Sequence, residues 1–276
     1  MTSHETSSAW QRFWERGGWW KAVILAAVYF ALYELVPLVM LPILRPWLAD
    51  PASASYVVAG FVVPIAFGGL LLVLFALSVG WFKELFARQP IRGGRWMWAA
   101  VAVVLVFNIL RFATTDYAGA GFSYAAAWLL AGLCIGFAEE VLTRGFVVNL
   151  MRKAGHKELA VALVSAAVFS ALHAGNLLGG QSLFATAFQL LYTFAFGICM
   201  YLTLRVTGNL IWPVLLHAST DPSIFLQTAH PVDSPLSQIA SMGNFPVIAL
   251  GLVAIFFIRG QVASKDGLDA GSLAER

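Results

Sequence analysis

Eight apolar runs, at roughly 22–44, 55–82, 96–111, 123–150, 159–178, 182–204, 209–229 and 245–258, take up most of the chain. A bilayer core about 30 Å thick is crossed by about 20 mostly apolar residues in helical form, so the pattern predicts an all-α, polytopic transmembrane bundle of about eight spans. Composition agrees: the chain of 276 residues is 60% hydrophobic and 11% charged, and its mean hydropathy of +0.79 lies outside the range of soluble domains. The connecting loops are short, and there is no internal repeat or Pro/Gly/Ser linker. The expected organisation is therefore a polar and interfacial segment at 1–21, one membrane domain at 22–260 and a polar tail at 261–276. Function has to reside in the bundle.

The formal net charge of +3 invites a nucleic-acid reading. In a membrane protein, however, the position of each Lys and Arg matters more than their sum. With the N-terminus in the cytoplasm and Arg144 set aside as lying inside a span, 14 of the basic residues fall on the cytoplasmic side and 2, Arg45 and Arg111, on the other. They read as topology signals that put both termini in the cytoplasm and exclude nucleic acid as a partner. The first apolar run is too long for a cleaved signal peptide. Before it, Trp10, Phe13 and Trp14 share a helical face with Arg12, Glu15 and Arg16 turned away, as in a short interfacial anchor. Cys134 and Cys199 form no close pair and read as packing residues. The expected location is a multi-pass position in a bacterial cytoplasmic membrane.

An ionisable side chain near mid-bilayer costs about 2.5–3.5 kcal/mol on insertion scales and so calls for a partner, a cavity or a function. Away from span ends the chain keeps Glu34, then Glu139, Glu140 and Arg144, then His173, then His217 with Asp221. At about 1.5 Å of rise per residue, Glu139 lies about 16 Å, His173 about 21 Å and His217 about 12 Å from the cytoplasmic face, close to one layer. Glu140 and Arg144 are spaced i,i+4 and are expected to neutralise each other, leaving Glu139, turned about 100° away, to face a cavity. His217 and Asp221 repeat that spacing, so Asp221 either orients the imidazole or stands beside it as a second polar group. Phe169 shares a face with His173, and Glu34 is expected to cap a polar contact or line a vestibule. Asn108, Asn176 and Gln189 read as interhelical hydrogen-bonding residues.

A carboxylate, two imidazoles and a further acid in a largely dry site suit the activation of water for attack on a peptide carbonyl, with Glu139 as general base. Two His and one carboxylate are also a common catalytic zinc set. With no HExxH present, a divalent metal such as zinc on Glu139, His173, His217 and Asp221 remains an open alternative.

Three motifs in order sharpen this. "EEVLTR" at 139–144 fits EExxxR, "FSALHAGN" at 169–176 fits FxxxH followed by Asn, and "GNLIWPVLLHASTD" at 208–221 leads from Asn-x-x-Trp-Pro to HxxxN/D. Over about 123–225 the chain resembles the CPBP (Abi) intramembrane proteases, which include the type II CAAX prenyl endopeptidases and bacteriocin-related immunity proteins. The resemblance implies an intramembrane protease, metallo or glutamate-type, acting on a membrane-embedded or lipid-anchored peptide or protein. It implies catalytic Glu139, His173, His217 and Asp221, supported by Glu140, Arg144, Phe169 and Asn176. Asp221 departs from the pattern, since many members carry Asn there. Two other classes use the same residues differently: an ion- or proton-coupled transporter with the acids and imidazoles as a relay, and a non-catalytic immunity or scaffold protein. The first lacks the internal repeats typical of secondary transporters.

Overall fold

The computed structural model describes residues 7–262. Among these, every long element is a helix: α1 (Ala9–Glu15), α2 (Trp19–Leu48), α3 (Ala54–Val79), α4 (Arg95–Ala113), α5 (Phe122–Lys153), α6 (Glu158–Leu177), α7 (Leu183–Thr207), α8 (Ile211–Ala229) and α9 (Pro235–Phe257). The expected termini, 1–21 and 261–276, lie partly outside the described residues. Helices α2 to α9 occupy the eight apolar runs, but among the described residues only seven helices are long and apolar enough to cross a membrane. The one outside that set is α8. It carries His217, Ser219, Thr220, Asp221, Ser223 and Gln227, which dilute its hydropathy below that of a free-standing span.

What lets α8 stay in the bundle is its packing against α4 and α5. Asn108 of α4, only 1% exposed, donates to Ser219 Oγ at 2.9 Å and Thr220 Oγ1 at 2.8 Å, as its expected bridging role requires. On the α5 side the contact is made by backbone. Gly132 and Gly136 are four residues apart, the small-xxx-small spacing that lets two membrane helices approach closely. A Cβ on Gly132 would stand 2.3 Å from both Ala218 O and Pro222 Cγ, and one on Gly136 would stand 2.6 Å from Val214 O. Gly132→Val is therefore expected to destabilise the bundle by about 1–3 kcal/mol through overpacking, read as a lowered unfolding midpoint in detergent. An unchanged midpoint would mean that α5 and α8 have slack between them.

A second polar knot ties α5, α6 and α7 together at one end of the bundle. The fully buried Glu158 accepts from Arg152 Nε at 2.8 Å, Arg152 Nη2 at 2.6 Å and Arg205 Nη1 at 3.0 Å, and also from the Tyr201 hydroxyl. Arg152 and Arg205, which the sequence presents as topology signals, thus also clamp three helices. The N-terminal helix is docked more firmly than an interfacial anchor. Trp14 is buried edge-on against Phe75 at 5.0 Å, and Glu15, expected to turn away, bonds Trp81 Nε1 at 2.9 Å and Lys153 Nζ at 2.8 Å.

Candidate active site

Helix α5 runs as a regular α-helix through Glu140 and then widens into a π-helical turn over Val141–Val147. Thr143 Oγ1 donates to the Glu139 carbonyl at 2.5 Å, the kind of back-bond that competes with the helix ladder. Such π turns gather at functional sites. Here the turn follows directly on two carboxylates, Glu139 and Glu140, that are adjacent in sequence but differ in surroundings.

Glu140 is fully buried and Arg144 is 1% exposed. Arg144 Nη1 donates to Glu140 Oε1 at 3.1 Å, its Nη2 donates to the Gly197 carbonyl at 2.8 Å, and the guanidinium lies 4.7 Å over the Phe169 ring. A buried ion pair is tolerable only when further hydrogen bonds compensate desolvation, and Gly197 O and Thr143 Oγ1 supply them. The expected neutral pair is present, with one addition. Glu140 Oε1 also lies 2.8 Å from His217 Nδ1. It is Glu140, 77 positions away in sequence, that orients the imidazole. Asp221 takes the other role left open for it, beside the ring: its Oδ2 lies 3.7 Å from His217 Nε2, as does Oε2 of Glu139.

A carboxylate only accepts, so the pairing with Glu140 puts a hydrogen on His217 Nδ1 and turns Nε2 to Glu139 and Asp221. The same reasoning applies to His173. Its Nδ1 lies 3.0 Å from the Phe169 carbonyl, which fixes the hydrogen on Nδ1 and leaves Nε2 as the acceptor of a neutral ring. His173 opens the 3-10 turn that ends α6. Phe169 lies edge-on to both imidazoles, 4.9 Å from His173 and 5.6 Å from His217. It is the aromatic wall expected beside the polar centre.

Glu139, His173, Asp221 and Asn176 line one cavity of about 210 Å³, several times the roughly 30 Å³ share of a water molecule. His217 abuts it through the two carboxylates. Glu140, Arg144 and Phe169 lie behind, buried. The cavity has a wall that the motifs do not reveal: Tyr29, Phe30, Tyr33 and Glu34 of α2, with Phe61 and Ile65 of α3. Glu34 had marked α2 by its charge, and the structure puts that charge on the cavity. The tyrosines carried no signal, being ordinary residues of an apolar helix. Asn176 is held by Gln189 Oε1 at 2.8 Å. Among the described residues no group of three or more His, Cys, Asp or Glu side chains stands where it could hold a metal ion.

Residues 121–222 match the type II CAAX prenyl endopeptidase Rce1-like family. The matched segment runs from the start of α5 into α8 and contains every motif residue of the site. Helices α2 and α3, which close the cavity, lie outside it. No curated protein and no solved structure matches the chain.

Proposed function

We propose that the chain is an intramembrane endopeptidase of the CAAX type, hydrolysing a peptide bond in a membrane-embedded or lipid-anchored substrate with water activated by Glu139. The observation that carries this reading is the contrast between the two neighbouring acids. Glu140 commits its Oε1 to Arg144 and His217, whereas Glu139 lines the cavity; the Oε2 of each acid is buried without a hydrogen-bond partner among the described residues. A carboxylate that makes no side-chain hydrogen bond and stands beside two imidazoles is ready to accept a proton from water.

Water bound between Glu139 and His173 Nε2 gives a proton to Glu139 while its oxygen bonds to the scissile carbonyl carbon. The resulting oxyanion accepts a hydrogen bond from His217 Nε2–H, the ring being held by Glu140 and its positive charge balanced by Asp221. Collapse of the tetrahedral intermediate breaks the C–N bond. The proton on Glu139 passes to the departing amine, and one water has been consumed.

The test is a mass-spectrometric assay in proteoliposomes with a prenylated peptide ending in a CAAX sequence and a non-prenylated membrane peptide. Wild-type protein is expected to cleave, and folded Glu139→Gln is expected not to. A pH-driven flux with no cleavage of either peptide would replace this reading with the transporter. Equal cleavage by wild type and Glu139→Gln would remove Glu139 from the chemistry.

A further inference from the structure

Behind the catalytic helix lies a second cavity, of about 290 Å³, at the end of the bundle that carries Arg88, Arg152 and Lys153. It shares no lining residue with the cavity that Glu139 borders. Arg144, Gly145, Val148, Asn149, Arg152 and Lys153 form one wall, and the loop 84–90 forms the other. Two buried polar atoms on that helical wall, Arg144 Nε and Asn149 Nδ2, have no hydrogen-bond partner among the described residues. Both are N–H donors, so what would satisfy them is an acceptor. Leaving such groups buried and unpaired costs about 1–3 kcal/mol each, more for a charged one.

The charges around the cavity choose the kind of acceptor. Four cationic side chains line it, Arg88, Arg144, Arg152 and Lys153, against one carboxylate, Glu84. Glu84 is spent on Lys153 Nζ at 2.8 Å. Arg152 is held by Glu158 and Arg144 by Glu140, while the exposed Arg88 makes no ion pair among the described residues. We propose that this cavity is a binding site for a phosphate-class oxyanion, held by Arg144 Nε, Asn149 Nδ2 and Arg88. Either a free phosphate or the headgroup of an anionic lipid presents that chemistry. Because the same guanidinium holds Glu140, and Glu140 holds His217, an anion here bears on the rear support of the candidate active site.

The test uses the full chain. Thermal unfolding in neutral detergent is followed with inorganic phosphate against chloride at equal ionic strength, and in phosphatidylcholine nanodiscs with and without phosphatidylglycerol. Binding to the folded state at 100 times Kd raises the folded-to-unfolded ratio about 100-fold. A rise with phosphate in detergent identifies a free phosphate as sufficient, and a rise with phosphatidylglycerol alone identifies the headgroup. Either gain is expected to fall at least about tenfold in Arg88→Ala and in Asn149→Asp, each of which removes a donor. Arg88 is exposed, so its variant keeps the test valid if Asn149→Asp does not fold. No gain from either anion, an equal gain from chloride, or an undiminished gain in the folded variants overturns the proposal.

Discussion

Glu140→Ala is expected to lower the stability of the folded bundle by about 3–5 kcal/mol, the typical result of removing one member of a buried ion pair. The cause is what stays behind. Arg144 would remain 1% exposed with Gly197 O, Thr143 Oγ1 and the Phe169 face, none of which carries a negative charge. Surviving protein is expected to lose a further 10–100-fold in activity, an order of magnitude typical of removing an orienting partner behind a functional His, because His217 Nδ1 loses its acceptor at 2.8 Å. Glu140→Gln keeps the volume and an acceptor oxygen, and is expected to fall between wild type and Glu140→Ala in both measures. Unfolding midpoints in detergent read the first effect, and cleavage rates at saturating substrate read the second. If Glu140→Ala unfolds like wild type, the pair is not the internal support described above.

Glu139→Gln is expected to behave in the opposite way, with a large loss of rate and little change in stability. Among the described residues the closest ion-pair approach of Glu139 is 3.7 Å, to His217 Nε2, and its side chain borders the cavity, 23% exposed. Replacing it with an isosteric amide strands no buried charge. It does remove the only proton acceptor that the proposed mechanism gives the attacking water, and general-base catalysis contributes on the order of 10²–10⁴-fold. A loss in that range with an unshifted midpoint separates chemistry from folding. A stability loss as large as that of Glu140→Ala would mean the two acids share one structural role.

The parts of this site that could be read from sequence are those where a charge is expensive. Glu139, Glu140, Arg144, His173, His217 and Asp221 stand out because an apolar helix excludes such groups unless something needs them, and the spacing of Glu140 and Arg144 correctly pairs them. Spacing sees only along one helix, however. His217 has an acid four residues on, so Asp221 looked like an equal candidate for orienting it, while the partner that does so belongs to another helix. Glu158 passed unnoticed because a carboxylate at the first position of a span looks solvated, whereas three donors from α5 and α7 enclose it. Gly132 and Gly136 were hidden in a run already rich in Ala and Gly, where only the proximity of α8 gives the pair meaning. The same proximity explains why α8 is less apolar than its neighbours: its polar face turns to Asn108, Glu139 and Glu140 instead of to lipid.

In the proposed mechanism Glu139 and His173 act as one unit on a single water in the cavity. The most direct measurement is the single-turnover cleavage rate of Glu139→Gln, His173→Ala and the double variant, all confirmed folded, in the same proteoliposomes. Residues that act together lose their contribution once, so the double variant is expected to be within about tenfold of the slower single variant. A double variant slowed by the product of the two single effects would contradict the account, because the two side chains would then be serving separate steps.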